Sequence, residues 1–513
     1  MKYVLFLCAL LLLCGGLSVR AQWSTDSGAN IPICTATNTQ NLPTIVSDSA
    51  GGAIITWYDD RDSGSTGQDI YAQKVNTTGM LQWTPNGVPI CRATGAQDLP
   101  TILSNGAGGA IITWRDLRGG SDYDIYTQKL DAAGVVQWTA NGVAISTAIN
   151  GQNLPTIVSD AAGGAIITWE DHRSGTNYDI YAQKVSARGI VQWMANGVVI
   201  SAETGDQIRP AIVSDGAGGA IITWRDFRSG SDTPEIYAQH VNDGGVVQWT
   251  ANGVAICTAT SAKDSPTIVS DGAGGAIIAW DDLRSTTNYD IYAEKVNAAG
   301  AVQWTANGVA ICSAASLQLV PAIVSDGAGG AIITWDDLRT GMDYDIYAQK
   351  VDAAGVVQWS ANGVAISTAT GLQGLPTIVS DGAAGAIITW EDYRSKTNSD
   401  IYAQRVLLNG TLEEVTGVNE HASFLPKTFE LEQNFPNPFN PSTHIQFTLP
   451  RSEFVTLRIF NLLGEQVAVL ISETLPAGAH QAQWDARGLP SGVYFCRLHA
   501  GELVQTRKLL LQK

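Results

Sequence analysis

An apolar run closed by tryptophan recurs along this chain, and its clearest copy spans Leu154 to Val185, LPTIVSDAAGGAIITWEDHRSGTNYDIYAQKV. The closing tryptophan stands at Trp57, Trp114, Trp169, Trp224, Trp280, Trp335 and Trp390, so neighbouring copies lie 55 to 57 residues apart. A second tryptophan follows VQ or LQ at Trp83, Trp138, Trp193, Trp249, Trp304 and Trp359. A fixed period of this length marks a repeat architecture in which one supersecondary unit is stacked many times.

Polar turns divide each copy into four runs. In the third copy, Thr156 to Ser159 (TIVS) follows Pro155 and predicts a short strand. Asp160 to Gly164 is a turn, and Ala165 to Trp169 (AIITW) is a second strand, rich in β-branched and aromatic residues. The loop from Asp171 to Tyr178 leads to a third strand, Asp179 to Val185, and then to an irregular fourth between Val191 and Ile200. No stretch of the repeats keeps apolar residues at i, i+3, i+4 and i+7, so the unit reads as an antiparallel meander. TIVS and AIITW are apolar on both faces, which suits a sheet covered on both sides. Four-stranded meanders packed face to face around an axis form a β-propeller, here with seven blades. The predicted fold class is all-β.

The last copy, Asp400 to Val406, lacks the Gln-Trp segment. An unmatched Gln22-Trp23, continuing to Ile31-Pro32-Ile33-Cys34, stands near the start of the chain. Residues 22–34 are therefore expected to supply the outer strand of the seventh blade, giving a propeller over 22–406 and removing two exposed sheet edges.

Composition narrows the setting. The formal net charge of −18 excludes a nucleic-acid partner, which demands a basic footprint, and disfavours anionic lipid. Residues 1–21 have the form of a secretory signal: Lys2, an apolar run from Val4 to Leu13, and small residues before an expected cleavage between Ala21 and Gln22. No other run is apolar enough to span a bilayer, so no integral membrane protein is expected. Cys34, Cys91, Cys257 and Cys312 share one repeat position, filled elsewhere by Ser146, Ser201 and Ser367. Equivalent positions in neighbouring blades lie beyond disulfide reach, so small unpaired side chains are expected there.

Residues 407–428 read as a linker. Beyond it, seven short strand candidates over 429–513, separated by Pro, Gly and Asn turns, predict a small β-sandwich. Several ordered motifs occur there: Gln433-Asn434-Phe435-Pro436-Asn437-Pro438-Phe439-Asn440-Pro441, Phe460-Asn461-Leu462-Leu463-Gly464-Glu465, Leu489-Pro490-Ser491-Gly492-Val493-Tyr494 and Lys508-Leu509-Leu510-Leu511. On these motifs the segment resembles the type A C-terminal sorting domain of the type IX secretion system, an immunoglobulin-like module akin to the FlgD-like fold. Phe435 stands where that family often has Tyr. The resemblance implies contact with the type IX machinery, removal of the domain by a sortase-like protease, and release or anchoring at the outer cell surface.

Two polar sets recur in the repeats. The first is W-x-D-x-R followed by D/E-I-Y, as in Asp171, Arg173 and Asp179, or Asp337, Arg339 and Asp345. A set present in every unit reads as a structural Arg–carboxylate clamp on the loop between second and third strands. The second is a Gln before the first strand, at Gln152, Gln207 and Gln318 among others, replaced once by Lys263. Both sets belong on one face. The residue between Asp and Arg varies, with His172, Phe227 and Tyr393 among its forms. Gln152, Gln207, Lys263, Gln318, His172, Phe227 and Tyr393 are thus the candidate ligand-binding face.

The His residues show no metal-ligand spacing, and no nucleophile–His–acid set assembles. No metal, cofactor or catalytic residue is expected. Near-identical blades favour a non-enzymatic binding or adhesion module for polysaccharide or protein. The alternative is an extracellular hydrolase or lyase at the channel mouth, which would need blade-specific polar residues.

Overall fold

A computed structural model describes residues 32–412 and 429–512, apart from 78, 231–232, 395–399, 450–452, 476–477 and 502. The expected signal segment, its Ala21–Gln22 junction and most of the expected closing strand (22–31) lie outside the described residues. Every helix or strand assigned among the described residues is a strand. The chain divides into two compact units, Met1–Glu413 and Glu414–Lys513.

The first unit is a set of seven antiparallel meanders. The third blade comprises Gln152–Ser159, Ala165–Asp171, Asp179–Val185 and Val198–Ser201, paired in chain order. The first strand begins earlier than TIVS suggests. Leu154 takes a left-handed φ of 45° before Pro155, producing a bulge, and the ladder resumes with Asn153 opposite Glu170 and Gln152 opposite Asp171. The bulge breaks the apolar alternation that marks a strand in sequence.

Consecutive blades share their cores. Ile166, Ile180 and Ala182 of the third blade pack with Ala220, Ile222 and Trp224 of the fourth. Trp114, Trp169, Trp224, Trp280 and Trp335 are fully buried, as core residues between stacked sheets should be. Two glycines show how tightly the indoles are held. A Cβ at Gly197 (φ 88°) would lie 2.6 Å from the Trp169 ring, and one at Gly189 (φ 77°) 2.6 Å from Trp138 of the preceding blade. The first strands face a common channel of about 740 Å³, lined by Leu42, Leu99, Leu154, Arg209 and Ser265 from successive blades.

The seventh blade has three strands among the described residues: Gln373–Ser380, Ala386–Asp392 and Asp400–Val406. The repeat continues past Val406. Leu412 bridges Val406 as Leu81 bridges Val75, and Trp359 Nε1 donates to Leu408 O at 3.0 Å. The first six residues of the expected linker therefore form a blade turn; the remainder, 413–428, lies outside the described residues.

The second unit is a two-sheet sandwich. Glu430–Leu431, Ser442–Leu449 and Gly478–Asp485 form one sheet, and Gln466–Leu475, Glu453–Phe460, Gly492–Ala500 and Leu503–Leu511 form the other. Phe447 and Trp484 of the first sheet share a core with Leu457, Tyr494 and Leu509 of the second.

Candidate functional site at the channel mouth

The recurrent Asp and Arg do form a clamp. Arg173 Nε donates to Asp171 Oδ1 at 2.8 Å, the Arg173 backbone N–H donates to the same oxygen at 2.9 Å, and Trp169 Nε1 donates to Oδ2 at 2.7 Å. Arg173 Nη2 also donates to Asn196 O at 2.7 Å, and its guanidinium lies 3.6 Å from the Tyr181 ring centroid. One side chain thus ties the second strand to the third and to the turn before the fourth. Arg339 repeats this with Asp337, Asn362 O and Tyr347. Burial opposes the charged form of Asp59, yet hydrogen bonds from Arg61 and Trp57 hold its pKa below the usual carboxylate range.

The second acid stands apart from this clamp, which corrects the expectation for Asp179 and Asp345. Asp179 sits directly opposite Asp171 in the ladder and accepts from Asn177 Nδ2 at 2.9 Å. The Arg173 guanidinium is turned to the acid two residues before it and to the Asn196 carbonyl, over the ring of the tyrosine two residues beyond Asp179. Burial pushes Asp179 up to about 6 and also raises Asp345, whose Oδ2 has no hydrogen-bond partner.

The Gln set lies inside the protein. Gln152, Gln207, Gln318 and Lys263 have no exposed surface. Gln152 Nε2 donates to Asn150 O at 2.8 Å, Gln207 to Gly205 O at 2.9 Å and Gln318 to Ser316 O at 3.0 Å. Lys263 Nζ donates to the equivalent Ser261 O at 2.8 Å and to Ala259 O. The lysine replaces one donor by another in the same carbonyl cradle, and these four residues present nothing to a ligand. His172, Phe227 and Tyr393 keep accessible surface: His172 lies 4.8 Å from the Tyr178 ring, Phe227 lies beneath Arg225, and Tyr393 is 41% exposed.

The blade-specific chemistry sits one residue before the clamp aspartate. This position holds Tyr58, Arg115, Glu170, Arg225, Asp281, Asp336 and Glu391. Alternation along the strand turns it away from the clamp and toward the bulge of the next blade. Glu170 Oε1 accepts the Arg209 backbone N–H at 2.7 Å. Arg115 Nη1 donates to Asn153 Oδ1 at 2.8 Å, and its Nη2 donates to Asp98 Oδ2 at 2.9 Å. Asp264 pairs with Arg209 and, at 3.4 Å, with Arg225. Burial pushes Asp281 and Asp336 up to about 7, with like charge from Asp264 adding to the first, and an Oδ1 of each lacks a partner. Half-buried Tyr123, Tyr178, Tyr289 and Tyr344 stand on the same rim. The signal was visible in the sequence as a Tyr, Arg, Glu, Arg, Asp, Asp, Glu series inside an otherwise repeated AII(T/A)WxD. Attention to recurring residues passes over it.

Several solved structures are similar to this chain. An ulvan lyase of polysaccharide lyase family PL25 shares 10% identity at a TM-score of 0.46, covering 71% of this chain and 92% of its own. An α-L-arabinanase from Penicillium chrysogenum shares 12% at 0.32, with 66% and 94% covered. An endo-arabinase from Bacteroides thetaiotaomicron shares 13% at 0.31, with 63% and 98% covered. Likeness this distant bears on neither activity nor substrate. No curated protein matches the chain. Residues 433–512 match the secretion system C-terminal sorting domain family, so the chain ends in a sorting domain that directs it to secretion or attachment at the outer surface.

Proposed function

We propose that this protein is a non-enzymatic polysaccharide-binding module displayed at the cell surface. In this reading the signal segment is removed between Ala21 and Gln22, the sorting domain engages the type IX machinery, and a sortase-like protease then cuts that domain away. The ligand lies across the channel mouth. What carries the reading is the recurrence of half-buried Tyr123, Tyr178, Tyr289 and Tyr344 beside polar groups in four near-identical blades, whereas the blade-specific series from Arg115 to Asp336 is the asymmetry that the second reading needs. Aromatic faces with adjacent amide and charged groups suit sugar rings, which present apolar faces and hydroxyl edges.

A glycan array probed with the secreted protein tests this. Retention of one polysaccharide class is expected, with Tyr393→Ala and Arg209→Ala each weakening it about tenfold. Absence of glycan retention, or retention unchanged by both substitutions, overturns it; capture of a protein ligand at the same face would replace it. Deletion of 429–513 is expected to hold the chain in the periplasm, and undiminished surface display would refute the export route.

A second reading, an extracellular hydrolase or lyase, is favoured by one observation. Asp281 and Asp336, in adjacent blades, are carboxyls raised to about 7 with an unpartnered oxygen each. A carboxyl poised near neutrality suits general acid–base work. Polysaccharide cleavage abolished by Asp336→Asn alone would select this reading over binding.

A further inference from the structure

The inside of the channel differs in chemistry from its rim. The residue before the first-strand proline takes a left-handed φ between 45° and 55° in all seven blades, from Leu42 to Leu375. None of the seven is glycine, the residue that adopts this conformation without steric cost. At β-branched Val320 (φ 52°) such a backbone is an outlier. The side chains held there do little for the blades. None belongs to an inter-blade core, and Leu42, Leu154 and Leu375 are 44%, 42% and 58% exposed. Strain kept at exposed positions points to a use for the surface that these side chains make.

That surface is an aliphatic wall with one cation on it. Leu42, Leu99 and Leu154 line the channel in consecutive blades, followed by Pro43, Pro100 and Pro155 further in. Among the described residues the lining holds no aromatic ring and no carboxamide, so it lacks the groups that the rim offers to a sugar. Its one charged member is Arg209, which takes the place of the leucine in the fourth blade. Asp264 holds Arg209 Nη1 and is approached by Arg225 at 3.4 Å, while Glu170 accepts the Arg209 backbone N–H. Nε and Nη2 of Arg209 have no partner among the described residues, and about half of its side chain is exposed. These two nitrogens form one edge of the guanidinium, spaced to meet both oxygens of a carboxylate.

We propose that the channel binds one alkyl carboxylate, its chain against the leucine and proline wall and its carboxylate on the Nε–Nη2 edge of Arg209. The arginine stands level with the leucines, so the head group stays at the rim and the chain runs inward. A space of about 740 Å³ lies within the range of small-ligand sites. Burial of methylenes against aliphatic side chains drives the association, and the planar guanidinium fixes its direction. The net charge of −18 disfavours an anionic bilayer, so the source is the free carboxylate rather than membrane lipid. The site does not depend on what the rim binds.

Isothermal titration calorimetry of the full chain with octanoate, decanoate and dodecanoate, each below its micelle concentration at pH 8, tests this. One site per chain is expected, tightening about threefold to fourfold for each added methylene. Arg209→Gln should weaken decanoate about tenfold and leave decanol unchanged. Leu154→Asn separates a ligand role from a structural one. Asparagine accepts the left-handed backbone better than leucine, so the urea midpoint should hold or rise while dodecanoate affinity falls about fivefold. A lowered midpoint would make the leucine scaffold and overturn its place in the wall. No saturable binding, more than one site per chain, affinity indifferent to chain length, or affinity unchanged by either substitution would overturn the proposal. So would binding to phospholipid vesicles without binding of the free carboxylates.

Discussion

Asp171 and Glu170 are adjacent residues on one strand, yet they belong to two different parts of the molecule. The Asp171 side belongs to a ring repeated in all seven copies, where each acid is bound by an Arg and a Trp and each Arg lies over a Tyr. The Glu170 side belongs to a ring whose members differ in charge from blade to blade and reach across to the next blade's bulge. Strand alternation separates the two completely. Recurrence therefore identifies what a blade needs in order to fold, and variation identifies where blades can differ in what they meet. The comparison also explains why the buried Gln set, though recurrent and close to the mouth, is scaffold.

If the two rings divide in this way, the largest effect should come from the clamp. Arg173→Ala leaves the Asp171 carboxylate fully buried without its cation, and also removes the link to Asn196 O and the guanidinium over Tyr181. Breaking one partner of a buried pair costs about 3–5 kcal/mol. Urea denaturation of the variant should show a loss in that range. A loss comparable to that of Glu170→Gln, expected below about 1 kcal/mol for retained hydrogen bonding, would mean that the clamp is not what holds the blade together.

Much of the scaffold was legible in the sequence. The period, four strands per blade, the tryptophan core and the seven sandwich strands follow from apolar runs and turn residues. Three parts were not legible, each for a physical reason. Arg173 has two acids within reach, and only the ladder register, which places Tyr181 under the guanidinium, decides between Asp171 and Asp179. Gln152 bonds to a carbonyl two residues earlier, a loop geometry without an apolar signature. Residues 407–412 form a blade turn although Leu407-Leu408-Asn409-Gly410 shares only its glycine with counterparts such as Asp131-Ala132-Ala133-Gly134, because the left-handed Gly410 and the carbonyl facing Trp359 are kept.

A pH series sharpens the contrast between the rings. Clamp acids Asp59, Asp282 and Asp392 are held low, so their stabilisation is present above the ordinary carboxylate pKa and is lost as pH falls through their folded values. Asp69, Asp124 and Asp179 are raised to about 6, and Asp281 and Asp336 to about 7. Between an unfolded pKa of about 3.9 and those values the folded state binds more protons, so stability falls as pH rises from about 4 to about 7. The urea midpoint should therefore be highest near about pH 4–5. Asp336→Asn keeps an acceptor for the Leu375 N–H and removes the charge; it should stabilise the protein at pH 8 by about 1–3 kcal/mol, with little effect at pH 4. A midpoint that climbs steadily to pH 8 would show that the mouth carboxyls ionise freely.

The smallest effect is expected where the copies themselves exchange residues. Cys91 is fully buried, and burial pushes its thiol up to about 12, so it stays neutral and contributes through its size and the hydrogen bond from Arg118. Serine fills the same place at Ser146 and Ser201, and at the latter Arg228 Nη2 donates to Oγ at 3.5 Å. The hydroxyl is smaller but a better acceptor, so loss of packing and gain in hydrogen bonding oppose each other. Cys91→Ser should change stability by less than about 1 kcal/mol, within the range of tolerated small swaps. A loss of about 3 kcal/mol or more would mean that each blade is fitted to its own residue at this position, and that the scaffold ring is as blade-specific as the mouth.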